Sequence, residues 1–222
     1  MESTKATALD EEAERRGLAL LRFDYSGHGQ SEGRIEEGTI SRWLEETLAI
    51  FRAKTDGPQI LIGSSMGGYL ALLAARALHE AGEVGRLKGL ILIAPAVDFT
   101  EALIWAQAPD EAREAIMRDG AWKRPSAYSS EPDCFTRALI EDGRKHLLLG
   151  GMIRPRVPAV VLQGMLDEDV PYAHALALMQ RLGDPATLTL IKDGDHRLSR
   201  PQDLRLLFEA LERMTCSPLW SE

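Results

Sequence analysis

Short continuous apolar runs alternate along the chain with longer segments whose apolar residues recur at helical spacing. An opening helix is predicted over Thr7 to Arg16. Gly17 to Phe23 (GLALLRF) is the first strand-like run, and the turn-rich DYSGHGQSEG follows it. From Thr39 to Lys54 the residues Ile40, Trp43, Leu44, Thr47, Leu48 and Phe51 form one stripe, the spacing of an amphipathic helix. Gly57-Pro58 breaks that pattern. Gln59 to Ile62 then predicts a strand, Met66 to Ala81 an alanine- and leucine-rich helix, and Leu87 to Ala94 another strand. Near the C-terminal end the same alternation returns. Val157 to Gln163 reads as strand, Tyr172 to Leu182 as helix, Ala186 to Ile191 as strand and Asp203 to Met214 as an amphipathic helix. Strands that are apolar throughout have both faces buried, so the prediction is an α/β fold with a mostly parallel sheet and helices on both sides.

The interval from Val97 to Pro155 departs from this rhythm. It reads as helices over Thr100 to Gln107, Pro109 to Asp119 and Cys134 to Leu149, interrupted by the loop KRPSAYSSEPD. An excursion of this size (about 97–155) between two sheet strands predicts a small helical cap on a single domain covering 1–222. Trp105, Trp122, Tyr128 and Phe135 fall within it. They are expected either to line a substrate pocket or to close the cap's own small core.

Composition narrows the function classes. The 222 residues carry 26 Lys and Arg against 34 Asp and Glu, a formal charge of −8. An acidic chain lacks the basic face that a nucleic-acid partner requires. No apolar run is long enough to span a bilayer, so no integral membrane segment is expected. Cys134 and Cys216 are the only cysteines, and neither sits at metal-ligand spacing. That sparseness, and an N-terminus without the apolar core of a signal peptide or the acid-poor composition of a transit peptide, predict a cytoplasmic protein.

One local motif carries chemistry. Gly63-x-Ser65-x-Gly67 follows a predicted strand and opens a predicted helix. A nucleophile elbow needs this context: a sharp strained turn, small neighbours two residues away on each side, and a hydroxyl at a helix N-terminus. The bland counterpart is a glycine-lined turn with Ser64 or Ser65 as an ordinary cap. A serine nucleophile needs a base, and His28, His79, His146, His174 and His196 are available. His79 and His146 read as solvated helix residues, and His174 lies near a helix start. His28 lies in a Gly-His-Gly turn near a strand end. His196 follows the last strand, where a Ser–Asp–His chain order places the base. The acid is expected after a strand between the two. Asp167 in LQGMLDEDVP is the first choice, with Asp169 and Asp98 as competitors.

In this order, RFDYSGHGQSEG, GSSMGG, QGMLDEDVP and GDHRLS resemble the alpha/beta-hydrolase superfamily over nearly the whole chain. The similarity is closer to bacterial relatives of the alpha/beta hydrolase domain-containing protein 10 family, which includes acyl-protein thioesterases and acyl-glucuronide esterases. The resemblance implies a serine hydrolase with Ser65 as nucleophile, Asp167 as acid, His196 as base and the Met66 backbone N–H as one oxyanion donor. It implies carboxylic esters or thioesters as substrates, S-acyl protein among them, and neither metal nor cofactor. Where many members carry His-Gly before the acid, this chain has Gln163-Gly164. The strands named above are fewer than the resembled fold usually has. The expectation is therefore that Met1 is not the true start, and that a strand and the loop donating the second oxyanion N–H lie upstream. The competing expectation is a catalytically silent or impaired hydrolase-fold protein that binds a ligand.

Overall fold

The computed structural model describes residues 3–125 and 132–216. Helix α1 (Thr4–Arg16) is capped by the Ser3 hydroxyl, which accepts from the Ala6 N–H, and it ends at Gly17 with φ 66°. Helix α2 (Ile40–Lys54) starts under the Thr39 hydroxyl. Strand β1 (Gln59–Ser64), helix α3 (Met66–Glu80) and strand β2 (Leu87–Ile93) come next. The closing elements are β5 (Ala159–Gly164), α6 (Tyr172–Arg181), β6 (Ala186–Ile191) and α7 (Pro201–Cys216). Strands β1, β2, β5 and β6 form one sheet in that spatial order, every pair parallel.

The central strands β2 and β5 are apolar on both sides because each side is covered. Leu90, Leu92, Ala159 and Val161 pack against α2, α3 and α6 through Trp43, Phe51, Leu73 and Leu178. Their neighbours Ile91, Ile93, Val160 and Leu162 point the other way, onto Leu9 of α1 and Leu207, Leu211 and Met214 of α7. Successive side chains leave a strand on opposite faces, so one uninterrupted run feeds two cores. Truncating one of the buried leucines or isoleucines among them to alanine costs about 2–5 kcal/mol.

Two expectations are corrected. Gly17 to Phe23 is not a strand: beyond the turn at Gly17 the segment joins no ladder. Among the described residues β1 pairs with β2 alone, and a cavity of about 560 Å³ lies between β1 and Leu20–Tyr25. An apolar run becomes a strand only where a neighbouring backbone takes its hydrogen bonds. The second correction lies in the cap. Between β2 and β5 run a π-helical turn (Thr100–Trp105), α4 (Asp110–Asp119), a two-stranded antiparallel hairpin of β3 (Ala121–Arg124) and β4 (Asp133–Thr136), and the short helix α5 (Arg137–Gly143). Cys134 to Leu149 is thus not one helix. Trp122 and Phe135 pair across the hairpin, and the Thr136 hydroxyl caps α5 by accepting from the Leu139 N–H at 3.1 Å.

Candidate active site

The β1–α3 junction is strained at one residue. Ser65 has φ 55° and ψ −121°, a region that a side chain rarely occupies. Two contacts to β2 and the residues after it hold the turn there. The Ser65 N–H donates to the Ile93 carbonyl at 2.8 Å, and the Ala96 N–H donates to the Ser65 carbonyl at 3.1 Å. Gly63 is sterically required, because a Cβ there would lie 2.2 Å from the Gly67 carbonyl oxygen. Gly67 differs: a Cβ on it would meet nothing within 4 Å. Met66 is the first residue of α3, so its N–H belongs to the first helical turn, where no intrahelical acceptor exists.

His196 lies in the loop between β6 and α7. Its Nε2 is 3.0 Å from Ser65 Oγ, and its Nδ1 is 2.8 Å from Asp167 Oδ2. A carboxylate only accepts, so Nδ1 carries the proton and Nε2 accepts from the serine hydroxyl. The Asp195 carboxylate accepts from the Leu198 N–H at 2.9 Å and shapes this loop. From α1, the Lys5 ammonium donates to the Arg197 carbonyl. Burial, opposed by the carboxylates of Asp195, Asp203 and Asp167, holds that ammonium below the usual lysine range.

Asp167 stands in the loop after β5 with its side chain fully buried. Its Oδ1 accepts from the N–H groups of Asp169 at 3.0 Å and Val170 at 2.8 Å. Its Oδ2 accepts from Gln163 Nε2 at 3.0 Å as well as from His196. The competing acids play other parts. Asp98 is buried and accepts from the N–H groups of Leu148 at 2.8 Å and Leu149 at 2.8 Å, which ties the returning end of the cap to the sheet. Asp169 is exposed, although its carboxylate lies within 4.8 Å of the Asp167 and His196 polar atoms. That trio is spaced for a cation, yet the Asp167 oxygens and both His196 nitrogens already hold hydrogen-bond partners.

The cavity between β1 and Leu20–Tyr25 reaches Ser65 and Met66 and is lined by Leu20, Phe23, Ile60 and Ile62. His28 is on its wall, at the edge of the site as its position in the Gly-His-Gly turn suggested. The cap aromatics are elsewhere. Trp105, Trp122 and Phe135 pack on Ile104, Ile116 and Ile140 and close the cap's own core. The Trp122 and Phe135 ring centres are 5.8 Å apart. Tyr128 lies outside the described residues. Two further histidines are engaged by other groups. His174 Nε2 donates to the Val97 carbonyl at 2.7 Å. His146 is mostly buried rather than solvated and meets the Ser41 hydroxyl at 2.7 Å. Burial pushes both rings below the ordinary histidine range. Gln163 was not singled out for the site. The signal was available, since a polar residue closes the otherwise apolar run AVVLQG.

Comparison with known proteins agrees with this architecture. Residues 4–205 match the alpha/beta hydrolase family. The chain is 36% identical over 214 residues to the human "Palmitoyl-protein thioesterase ABHD10, mitochondrial", covering 96% of this chain and 68% of that protein. A crystal structure from Agrobacterium vitis S4 superposes with a TM-score of 0.92 at 47% identity, covering 96% of this chain and 83% of the other. The mouse alpha/beta hydrolase domain-containing protein 10 superposes with a TM-score of 0.85 at 34% identity, covering 96% and 84%. Parallel sheet, strained serine turn and a family match spanning most of the sequence lead to one conclusion: the chain belongs to the alpha/beta hydrolase family.

Proposed function

We propose that this chain is a serine hydrolase of carboxylic esters or thioesters that works through an acyl-enzyme on Ser65. The observation that carries the proposal is the imidazole of His196 bridging Ser65 Oγ at 3.0 Å and Asp167 Oδ2 at 2.8 Å. His196 Nε2 takes the Ser65 proton as Oγ attacks the acyl carbon, and Asp167 stabilises the imidazolium and holds its tautomer. The tetrahedral oxyanion forms beside the Met66 N–H at the head of α3, where the helix dipole favours negative charge. The imidazolium then protonates the departing alkoxide or thiolate, which leaves acyl-Ser65. Water enters and gives its proton to the same nitrogen as its oxygen attacks the acyl carbon; the bond to Oγ then breaks, the imidazolium returns its proton to Oγ, and the carboxylic acid leaves with Ser65 and neutral His196 restored.

The substrate proposal is an acyl ester or thioester, with S-acyl protein included. It leans on the thioesterase named in the human relative and on the apolar wall of the cavity at Ser65. A cytoplasmic setting is proposed from the sparse cysteines. No helix among the described residues is long and apolar enough to cross a membrane.

The test is labelling with a fluorophosphonate, followed by a panel of oxyesters and thioesters of graded acyl length. Covalent modification at Ser65 and hydrolysis of members of the acyl panel are expected. A protein that binds acyl compounds yet stays unlabelled would favour the ligand-binding alternative.

A further inference from the structure

Gln163 is the last side chain of β5 before the terminal glycine, and none of it is exposed. Its neighbours in the strand, Val161 and Leu162, are core hydrophobics. An apolar side chain of similar volume would fill this place without a buried amide to satisfy. The amide has a defined orientation. Nε2 lies 3.0 Å from Asp167 Oδ2, 2.9 Å from the Val170 carbonyl and 3.1 Å from the Gly164 carbonyl. All three are acceptors, so the nitrogen end must face them. The amide oxygen Oε1 is buried without a hydrogen-bond partner among the described residues. A buried polar group that is only half satisfied marks a role other than stability.

We infer that Gln163 is a positioning residue of the proposed triad, acting through Asp167 rather than on substrate. Two donors meet at Asp167 Oδ2, the Gln163 amide and His196 Nδ1. With the Asp169 and Val170 N–H groups on Oδ1, the carboxylate is held from both oxygens. The amide is neutral, so it fixes the carboxylate without adding charge beside the imidazole. It also draws off part of the negative charge that would otherwise act on His196. The same side chain ties Val170, the far end of the loop, back to β5, so the loop bearing Asp167 closes on its own strand.

This inference rests on the proposed Ser65–His196–Asp167 assignment, and its test has a readout that does not depend on turnover. Other charges surround the imidazole: Asp169 from the same loop as Asp167, Asp195 and Arg197 on either side in the chain, and Lys5 from α1. Gln163→Met keeps the volume, removes the donor and leaves all of these in place. In that variant the pH midpoint of the His196 ring signals, followed by NMR, is expected to rise by about 0.5–1 unit. The acid limb of the kcat/KM profile should move with it, and kcat should fall roughly tenfold with little change in KM. Gln163→His returns an N–H donor and should bring the midpoint back. In the wild-type protein the Gln163 side-chain amide signals should shift together with the His196 ring, a measurement that survives even if Gln163→Met fails to fold. A folded Gln163→Met variant with unchanged midpoint and kcat would overturn the inference, as would amide signals blind to that titration. If the wild-type chain neither labels with fluorophosphonate nor hydrolyses the ester panel, the hydrolase proposal fails while the NMR titration still reports on Gln163.

Discussion

Ser65 Oγ and His196 Nε2 are 131 positions apart in the chain and 3.0 Å apart in space. The sheet creates this proximity. Ser65 directly follows β1 at one edge of the order β1-β2-β5-β6, while His196 follows β6 at the other. All four strands are parallel, so the loops after them emerge at the same end of the sheet, and the loops after β5 and β6 carry Asp167 and His196 there.

Replacing Ser65 separates chemistry from strain. Ser65→Ala and Ser65→Gly should both lose several orders of magnitude in ester turnover, because both remove the proposed nucleophile. At φ 55° and ψ −121° glycine is the less strained of the two. The glycine variant should therefore be about 1 kcal/mol more stable than the alanine variant. Denaturant titration of the pair measures the difference, and equal stabilities would refute the claim of strain.

The two aspartates after β5 should behave unequally. Asp167→Asn leaves His196 facing an amide and should lower kcat by about 10³–10⁴. Asp169→Asn keeps the backbone N–H that donates to Asp167 and changes only an exposed carboxylate, so its loss should stay within about tenfold. A larger loss at Asp169 than at Asp167, read from kcat on a shared ester, would reverse the assignment of the acid.

The two elbow glycines should also differ. Gly63→Ala drives a Cβ into the Gly67 backbone at 2.2 Å and should destabilise the chain by about 3 kcal/mol. Gly67→Ala places its Cβ in open space and should leave the melting temperature near wild type. Thermal unfolding followed by circular dichroism compares them directly.

Acid should weaken α1 itself in a defined window. A hydrogen bond from the Arg15 guanidinium, helped by Arg16, holds the Glu12 carboxyl at about 2. A carboxyl depressed in the folded state stabilises it above the unfolded value, near 4.3, and that contribution disappears as pH falls toward about 2. Arg15 is largely exposed, so roughly 1 kcal/mol is expected. The stability gap between wild type and Glu12→Gln should be full at pH 6 and close by pH 2. A gap that does not change with pH would show that Glu12 acts by packing alone.

Local pattern determined a good part of this protein. The apolar runs at Gln59–Ile62, Leu87–Ala94, Val157–Gln163 and Ala186–Ile191 sufficed to identify a sheet covered on both faces. Gly63-x-Ser65-x-Gly67 sufficed to locate the strained turn, since the steric demand on its first glycine lies within five residues. Only the tertiary structure separated Asp167 from Asp98 and Asp169, because each follows a strand and the difference lies in which carboxylate faces an imidazole from another loop. Packing alone could direct Trp105, Trp122 and Phe135 into the cap's own core. The same holds for Gly17–Phe23, whose composition suits a strand but which finds no ladder beside it. Periodicity records which faces of an element are apolar. The backbone or side chain that will meet those faces is supplied by residues far along the chain, and the fold decides which ones arrive.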